Sequence, residues 1–296
     1  MQAESDGTQS PAYHPLFSSS DGDTVLGSKD RTLFRVHSYT LKTTSGWFRT
    51  MFTLPTGGEP ESPASHIYLD EDSTTLEGLL RLACGLPIPS LDSYDVIEAI
   101  LLAAEKYDMP GPMSIVRALI ATPPFVADPL RLYVVTCRYG WADEARMASQ
   151  HTLTLNLHEP EHRMQLMKLS PLALLSLFEL HRGRREALRR RLDDPPFVNA
   201  GGDTLCSNCG NVVDYHTWRE LKYAIILEMD VRPLGDTVCN KGLLEWPAAR
   251  ACWDARCVTC DRPLYDQKET LRVIRECIDQ LPRTSDPDPA LPIIAS

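Results

Sequence analysis

Residues 23–52 read DTVLGSKDRTLFRVHSYTLKTTSGWFRTMF, and this stretch decides how the first part of the chain folds. Apolar and β-favouring residues flank a turn-like sequence at 27–30, and this pattern predicts a β-hairpin. A helical pattern follows from Ser38 to Phe52, carrying Leu41 and Phe48 on its apolar positions. The chain therefore opens with strands that lead directly into a helix.

The same alternation continues as far as Ala121. A Pro- and Gly-rich loop at 55–65 precedes a short predicted strand at 66–69. Capping residues at 70–74 then begin one helix, and apolar residues at helical spacing predict another at 94–107. We therefore predict a mixed α/β (α+β) unit for this part of the chain.

Beyond Pro123-Pro124 the pattern is wholly helical. Helices are predicted at 130–139, 142–157 and 171–192, with a Pro-containing break at 193–196. The predicted organisation of the whole chain has five parts. They are a flexible tail at 1–14, the α+β domain at 15–121, a helical extension at 122–194, a small cysteine-rich module at 195–282 and a disordered tail at 283–296.

Composition limits the classes of function. The formal net charge of -10 and a pI near 5.3 disfavour binding to a phosphate backbone, which needs concentrated Lys and Arg. The residues from Met1 to Ser10 lack the basic start and apolar run of a secretory signal, and no apolar run approaches the length of a membrane span. We therefore predict an intracellular protein, in cytoplasm or nucleus, with no membrane partner.

Two sets of residues resemble the BTB/POZ domain family. The first is Asp23-Thr24-Val25-Leu26, Phe34-Arg35-Val36-His37, Leu41, Ser45, Phe48 and Met51-Phe52, which is similar to the family's opening motif. The second is Ala103-Ala104-Glu105-Lys106-Tyr107-Asp108-Met109, which is similar to its A-A-x-K-Y-x-M helix. Asp128-Pro129-Leu130-Arg131 and Cys137-Arg138-Tyr139-Gly140 also resemble the helical extension of fungal-type members.

This resemblance implies a helix cluster capped by a small sheet and a homodimer that binds other proteins. Family members serve as adaptors of cullin-type ubiquitin ligases or as parts of transcriptional regulators. The loop after Phe52 lacks the hydrophobic-x-Glu element of cullin-binding members, which argues against that partner. Ser38 stands where the family commonly has Lys or Arg after the histidine. We expect no enzymatic activity in this domain.

Asp23 and His37 bracket the predicted hairpin, so its ends should bring them together. Polar groups within an apolar surface need hydrogen-bond partners, which Asp23 and His37 could supply to each other. We therefore predict that this polar pair has a structural role. No nucleophile with an orienting partner is recognisable nearby, which disfavours a catalytic role.

The strongest chemical motif consists of two C-x-x-C pairs. Cys206 and Cys209 form the first pair, Cys257 and Cys260 the second, and 47 residues separate them. Two such pairs supply the four thiolates of a tetrahedral zinc site, whereas neither pair lies in the β-α-β pattern of redox-active thiols. We predict a structural zinc ion held by these four cysteines.

The remaining candidate ligands are weaker. His216, Cys239 and Cys252 are reserve ligands that could join the same site. Cys84, Cys137 and Cys277 lie in helical contexts, and we predict that they are buried small apolar groups.

Two further stretches match sequence motifs of other functions. Residues 158–162 match the letters of H-E-x-x-H, but Pro160 interrupts the helix that a zinc protease needs. The run at 181–191 holds six arginines, and Leu188 with Leu192 continues an apolar stripe through it. We interpret the arginines as a solvated helix face with acidic partners in the same chain, rather than as a nucleic-acid patch or nuclear localisation signal.

Three functional hypotheses remain. The leading one is a homodimerising scaffold whose zinc-stabilised C-terminal module offers a second binding surface. The alternative is a transcriptional regulator whose cysteine module contacts DNA, although residues from Asp193 onward contain eleven Lys or Arg against seventeen Asp or Glu. A metalloenzyme would need an open coordination position, which four thiolates do not leave.

Overall fold

The computed structural model describes residues 12–54, 66–194, 197 and 205–285. The chain divides into two compact units, Met1–Ala127 and Asp128–Ser296. The tail residues 1–11, the loop 55–65 and the tail residues 286–296 lie outside the described residues, and so do the predictions made for them. No helix in the described ranges is long and apolar enough to cross a membrane.

The first unit contains a three-stranded sheet of order β2-β1-β3. Strands β1 (Thr24–Gly27) and β2 (Leu33–Val36) form the predicted antiparallel hairpin. Strand β3 (Ile67–Tyr68) pairs with β1 in parallel. The described part of the unit also contains six α-helices, with β3 between the second and the third. They are α1 (Ser38–Thr44), α2 (Gly46–Met51), α3 (Ser73–Ala83), α4 (Tyr94–Lys106), α5 (Pro110–Leu119) and α6 (Pro123–Val126). The predicted mixed α+β fold is confirmed.

The predicted single helix at 38–52 is wrong in one respect, because it is two helices. Ser45 interrupts it with extended backbone angles, φ -132° and ψ 125°. Its hydroxyl donates a hydrogen bond to the carbonyl of Tyr107 and accepts one from the amide of Phe48, 3.0 Å away. Ser45 therefore caps α2 and ties it to the end of α4, which local helical periodicity could not indicate.

Apolar side chains from the sheet and helices form the core of the first unit. Leu26 and Phe34 come from the hairpin, and Leu76 and Ile97 come from α3 and α4; all four are fully buried. The chain before the hairpin also contacts it, since the hydroxyl of Tyr13 accepts a hydrogen bond from Arg35 over 2.9 Å. Tyr13, which lies in the predicted tail at 1–14, therefore packs against the hairpin.

The second unit is helical. Its helices are α7 (Pro129–Arg138), α8 (Ala142–Thr152), α9 (Arg163–Leu166), α10 (Pro171–Arg191), α11 (His216–Val231), α12 (Asp236–Cys239), α13 (Pro247–Asp254) and α14 (Gln267–Asp279). Helix α8 stops at Thr152 instead of the predicted Leu157. The residues that follow place apolar side chains at alternate positions, a spacing that does not continue a helical stripe.

The extension and the cysteine-rich region share one core, which differs from the predicted boundary near residue 194. Leu188 of α10 and Leu192, the residue after this helix, pack in the same cluster as Cys206, Trp218 and Ile274. Residues 283–285, expected in the disordered tail, also belong to this unit. The buried Ser285 donates its amide to the hydroxyl of Ser149 over 2.9 Å.

A four-cysteine candidate metal centre

The first cysteine pair lies on a tight turn just before α11. The amide of Cys206 donates to the carbonyl of Asn211 over 2.8 Å, and the amide of Gly210 donates to the carbonyl of Cys206 over 2.9 Å. Leu205 and Val212 form an isolated antiparallel bridge on either side of the turn. These bonds close a short loop that points both thiols of the pair in one direction.

The second pair repeats this arrangement between α13 and α14. The amide of Cys257 donates to the carbonyl of Arg262, and the amide of Asp261 donates to the carbonyl of Cys257, both over 2.9 Å. Arg256 and Pro263 form the matching bridge. The two turns therefore have the same hydrogen-bond pattern at equivalent positions.

The residue after the second cysteine of each pair has a left-handed backbone. Gly210 has φ 71° and Asp261 has φ 54°. Glycine adopts this conformation without steric strain, and aspartate is one of the few other residues that tolerate it. The departure from glycine at position 261 thus leaves the geometry of the turn unchanged.

The fold brings all four predicted cysteines together. Their sulfur atoms lie within 4.8 Å of one another. The Sγ atoms of Cys206 and Cys260 are 3.8 Å apart, and those of Cys209 and Cys257 are 3.7 Å apart. These distances are far longer than a disulfide bond of about 2.05 Å, and all four cysteines are free.

The same distances fit a tetrahedral metal site. With a Zn–S bond of about 2.3 Å, the sulfurs of a regular tetrahedron lie roughly 3.8 Å apart. The Cys206–Cys260 and Cys209–Cys257 separations agree with that value. Four thiolates also match the chemistry of structural zinc, since soft sulfur ligands select Zn²⁺ over the harder divalent ions.

Backbone amides favour the thiolate form at the second turn. Amides of Cys260 and Thr259 donate to the sulfur of Cys257 and lower its pKa to about 6. The side chain of Asn208 and the amide of Arg262 likewise lower the pKa of Cys260. In the first turn, the amides of Asn211 favour the thiolate of Cys209, the side-chain amide donating to its sulfur over 3.5 Å, but burial and the neighbouring thiols raise the pKa of Cys209 to about 11. Amide donors of this kind stabilise the negative charge that a metal-bound cysteine carries.

Aromatic residues hold the two turns against the helices. The hydroxyl of Tyr215 donates to the carbonyl of Leu205 over 3.2 Å, and the hydroxyl of Tyr265 accepts from the amide of Trp218 over 3.2 Å. The Trp218 ring stacks on Phe197 with 4.9 Å between ring centroids. The site thus lies at the edge of an aromatic core, with Cys206 and Cys257 buried in it and the other two ligands half-buried.

The reserve ligands lie elsewhere. His216 is exposed and has its Nδ1 3.7 Å from a carboxylate oxygen of Asp214. Cys252 is fully buried, and its burial raises its pKa to about 12. Cys239 is half-buried, and burial raises its pKa as well. The metal-competent cluster in the described part of the chain consists of the four predicted cysteines alone.

The other cysteines differ slightly from their predicted environments. Cys277 is buried as expected, whereas Cys84 and Cys137 are half-buried. Burial raises the pKa of Cys84, and it raises that of Cys137 to about 11. A raised pKa lowers the thiolate fraction at neutral pH and makes a thiol a poorer nucleophile.

The H-E-x-x-H sequence does not form a helical metal site. Pro160–His162 is a 3-10 helix, and a separate helix, α9, begins at Arg163. The ring of His158 packs against Phe178 with 5.7 Å between centroids. His158 and His162 therefore do not share one face of a continuous α-helix.

The structure gives Asp23 a different partner from the predicted one. Its two carboxylate oxygens accept hydrogen bonds from the amide and the hydroxyl of Ser38, at 2.6 and 2.7 Å. These bonds lower the pKa of Asp23. Asp23 and His37 are both exposed, so the expected pairing within an apolar surface is corrected to an exposed Asp23–Ser38 pair. The serine that replaces the family's basic residue supplies this contact.

The arginine run is only partly a solvated face. Arg182, Arg189 and Arg190 are exposed, but Arg184 is 2% exposed. Its guanidinium donates to four backbone carbonyls, those of Pro233 and Leu234 after α11 and those of Leu281 and Pro282 after α14. Burial lowers the pKa of Arg184 to about 10.

A signal for Arg184 was present in the sequence. Position 184 falls on the same helical stripe as Leu177, Leu180, Leu188 and Leu192, all of which are buried. A residue in that register should face the core whatever its charge, and the surrounding arginines obscured this. The predicted acidic partners are present for its neighbour Arg185, which pairs with Glu186 and Asp230.

Comparison with known proteins identifies the first unit. Residues 14–122 match the BTB/POZ domain family. No curated protein matches the chain. The chain thus contains a BTB/POZ domain, and such domains are interaction modules, which supports a role as a scaffold, adaptor or regulator.

Proposed function

We propose that this protein is a homodimerising BTB scaffold whose second unit is stabilised by a zinc ion and presents a further protein-binding surface. The carrying observation is that four free thiols at two turns of equal geometry have their sulfur atoms within 4.8 Å of one another, two of the separations being 3.8 and 3.7 Å. Cys206, Cys209, Cys257 and Cys260 would all be zinc ligands, which leaves no open coordination position. The zinc ion would stabilise the fold of the second unit, and the protein would act by binding other proteins through its surface.

The match to the BTB/POZ family supports self-association through the first unit. Light scattering of the full chain at concentrations on the order of tens of micromolar should give about twice the mass of one 33.2 kDa chain. A strictly monomeric mass would contradict the homodimer. An intracellular location and adaptor-like binding of other proteins complete the proposal.

Metal content tests the second unit directly. Protein purified under reducing, chelator-free conditions should carry one zinc per chain. Stoichiometric absence of zinc under those conditions would overturn the site.

A separate test concerns nucleic acid. The net charge of -10 predicts no retention on DNA at physiological salt, and salt-sensitive retention would favour the transcriptional regulator as the alternative function.

A further inference from the structure

Helix α11 and the start of α13 form an open apolar groove within the second unit. The apolar residues that line it are Ala224, Leu227, Val231, Trp246, Pro247 and Ala248. The volume of the groove is about 390 Å³, which is within the range of pockets that bind ligands. The groove is therefore large enough to accept several side chains of a partner.

The exposed side of α11 carries an apolar stripe along this groove. Tyr223, Leu227 and Val231 follow one another at intervals of four residues and are 64%, 49% and 51% exposed. Residues four apart lie on the same face of a helix, so the three side chains form a row about 12 Å long at the helical rise per residue. Trp246, which is half-buried, lines the groove beside this row. Exposed apolar surface with a tryptophan at its edge is typical of protein-binding sites.

The basic side chains of α11 are already paired within the chain. Each Lys and Arg of the helix, and the Arg that follows it, is held by an aspartate. The pairs are Arg219–Asp214, Lys222–Asp193 and Arg232–Asp236. Asp236 is the main cause of the raised pKa of Arg232, and Glu228 makes a smaller contribution. These cations are therefore committed to aspartates of the same chain.

Carboxylates surround the groove without such partners. Glu228 lines it and is half-buried, and the exposed Glu220 lies about two helical turns earlier on α11. The exposed Glu245 directly precedes Trp246. None of the three carboxylates is in an ion pair among the described residues. Arg250 of α13 is exposed but does not line the groove, so the surroundings of the groove are acidic overall.

This charge pattern decides between the possible occupants. Two copies of α11 packed on each other would bring Glu220 and Glu228 of both chains together, and like charges across an interface repel. An anionic membrane surface attracts basic segments and would repel this acidic rim. A helix with basic residues on both sides of an apolar stripe instead brings apolar groups to the groove and positive charges to its rim.

We infer that the groove between α11 and α13 binds a basic amphipathic helix of a partner protein. The apolar side chains of that helix, at positions i, i+4 and i+7, contact Leu227, Val231 and Trp246. Lysines or arginines beside its stripe pair with Glu220 and Glu228. The inference rests on the proposed function, because it names the partner class of the binding surface in the second unit, but it requires neither a zinc ion nor a dimer.

A displayed peptide library tests the inference on the full chain. Each member is a helix-forming peptide of about 18 residues, in which positions i, i+4, i+7 and i+11 vary among large apolar residues. The positions beside this stripe are lysine or glutamate at random. We expect peptides selected at about 0.15 M salt to carry lysine about five times as often as glutamate at these positions. Selected peptides with equal lysine and glutamate, an excess of glutamate, or no enrichment at all would overturn the inference.

Matched substitutions locate the binding site of the strongest selected peptide. Leu227→Gln should weaken its binding about tenfold or more by fluorescence anisotropy, because it places an amide in the groove. Leu175→Gln should leave the affinity within about twofold, since Leu175 is 54% exposed but lies on α10, outside the groove. Val231→Thr repeats the first change should Leu227→Gln alter the circular dichroism. Equal losses in the groove and control variants would contradict binding in the groove.

A second pair of variants tests the charge. Glu228→Gln should weaken binding of the same peptide about threefold and reduce its salt dependence, because one carboxylate at the groove is lost. Glu179→Gln, at an exposed position of α10, should change neither quantity. An unchanged affinity in Glu228→Gln, or an equal loss in Glu179→Gln, would contradict the electrostatic part of the inference.

Mass and zinc content separate this inference from the proposed function. Leu227→Gln should keep the mass and the zinc content of the wild type, and a change from dimer to monomer would assign the groove to a second copy and overturn the inference. Failed peptide selection on a wild type that is dimeric and zinc-loaded would overturn the inference alone. A monomeric or zinc-free wild type would contradict the proposed function instead.

Discussion

The two units of this chain bury different kinds of polar side chain. In the described part of the first unit, the buried polar side chains are hydroxyls, such as those of Ser28 and Ser45. The second unit buries an imidazole and a guanidinium as well, those of His181 and Arg184, and it has thiols at its edge. Apolar packing is insensitive to metal and protons, whereas buried polar groups depend on their partners. We therefore expect metal and pH to control the stability of the second unit far more than that of the first.

Loss of a metal ligand should produce the largest effect. Cys209→Ser and Cys260→Ser should each reduce zinc from one per chain to below about 0.1, because a hydroxyl is a poor substitute for a thiolate. Structural zinc contributes roughly 10 kcal/mol or more to the folding of small cysteine sites. Since α10 shares a core with the site, hydrogen exchange should show loss of protection in α10 and α11, while the hairpin of the first unit stays protected.

Cys239→Ser is the matched control, because Cys239 is half-buried in the same unit but lies outside the four-sulfur cluster. It should retain its zinc and its amide protection. His162→Ala should also retain both. Zinc loss in His162→Ala together with zinc retention in the two cysteine variants would make the site assignment wrong. Unchanged protection of α10 after zinc loss would show that the extension folds independently.

Arg184 should give the next largest effect. Arg184→Ala leaves four backbone carbonyls without their donor in a buried region, and the loss of such a network destabilises by about 3 kcal/mol or more. Chemical denaturation of the second unit measures this change. Arg190→Ala, on the exposed side of the same helix, should change the free energy of unfolding by less than about 0.5 kcal/mol. Equal effects of the two substitutions would show that the four carbonyl contacts of Arg184 do not stabilise the second unit.

The contacts of Arg184 show the difference between features that the sequence could predict and those that it could not. The hairpin, α4 and the cysteine turns depend on residues close together in the chain, so periodicity and spacing indicated them. Arg184 binds carbonyls 49 to 98 residues away, and no local pattern encodes those partners. The same holds for Ser45, whose hydroxyl binds Tyr107 across 62 residues and breaks the predicted helix. The four cysteines are an exception. Two C-x-x-C pairs are a known metal-binding pattern, so the sequence could predict that they lie together although they are far apart in the chain.

The buried histidine makes the second unit sensitive to acid. His181 lies 3.1 Å from the hydroxyl of Thr152, and burial together with the nearby Arg184 lowers its pKa to about 4. The unfolded chain has the ordinary value near 6.5, so it binds the proton more readily than the folded chain does between those values. Stability is therefore complete above pH 6.5 and decreases as the pH falls towards 4.

A substitution isolates this contribution from that of the carboxylates. Between pH 7 and pH 5 the second unit should lose about 2 kcal/mol through His181, and His181→Gln should remove that part of the pH dependence. Unfolding by denaturant at the two pH values, for wild type and variant, measures the difference. His151→Gln is the control because His151, next to Thr152 on α8, is less buried than His181 on α10. An identical pH dependence in wild type and His181→Gln would refute the linkage.

The smallest expected effect concerns the first unit and its exposed polar pair. Ser38→Ala removes the hydroxyl that donates to Asp23 but keeps the backbone amide that donates to the other carboxylate oxygen. One solvent-exposed hydrogen bond to a charged group should contribute no more than about 1 kcal/mol, and the pKa of Asp23 should rise when it is lost. His37→Ala should change neither quantity, because the structure places Ser38 against the carboxylate. NMR titration of Asp23 and denaturant unfolding measure both. If His37→Ala instead raised the pKa of Asp23 while Ser38→Ala left it unchanged, the predicted Asp23–His37 pairing would be correct and the Asp23–Ser38 contact would not be the one that stabilises the carboxylate.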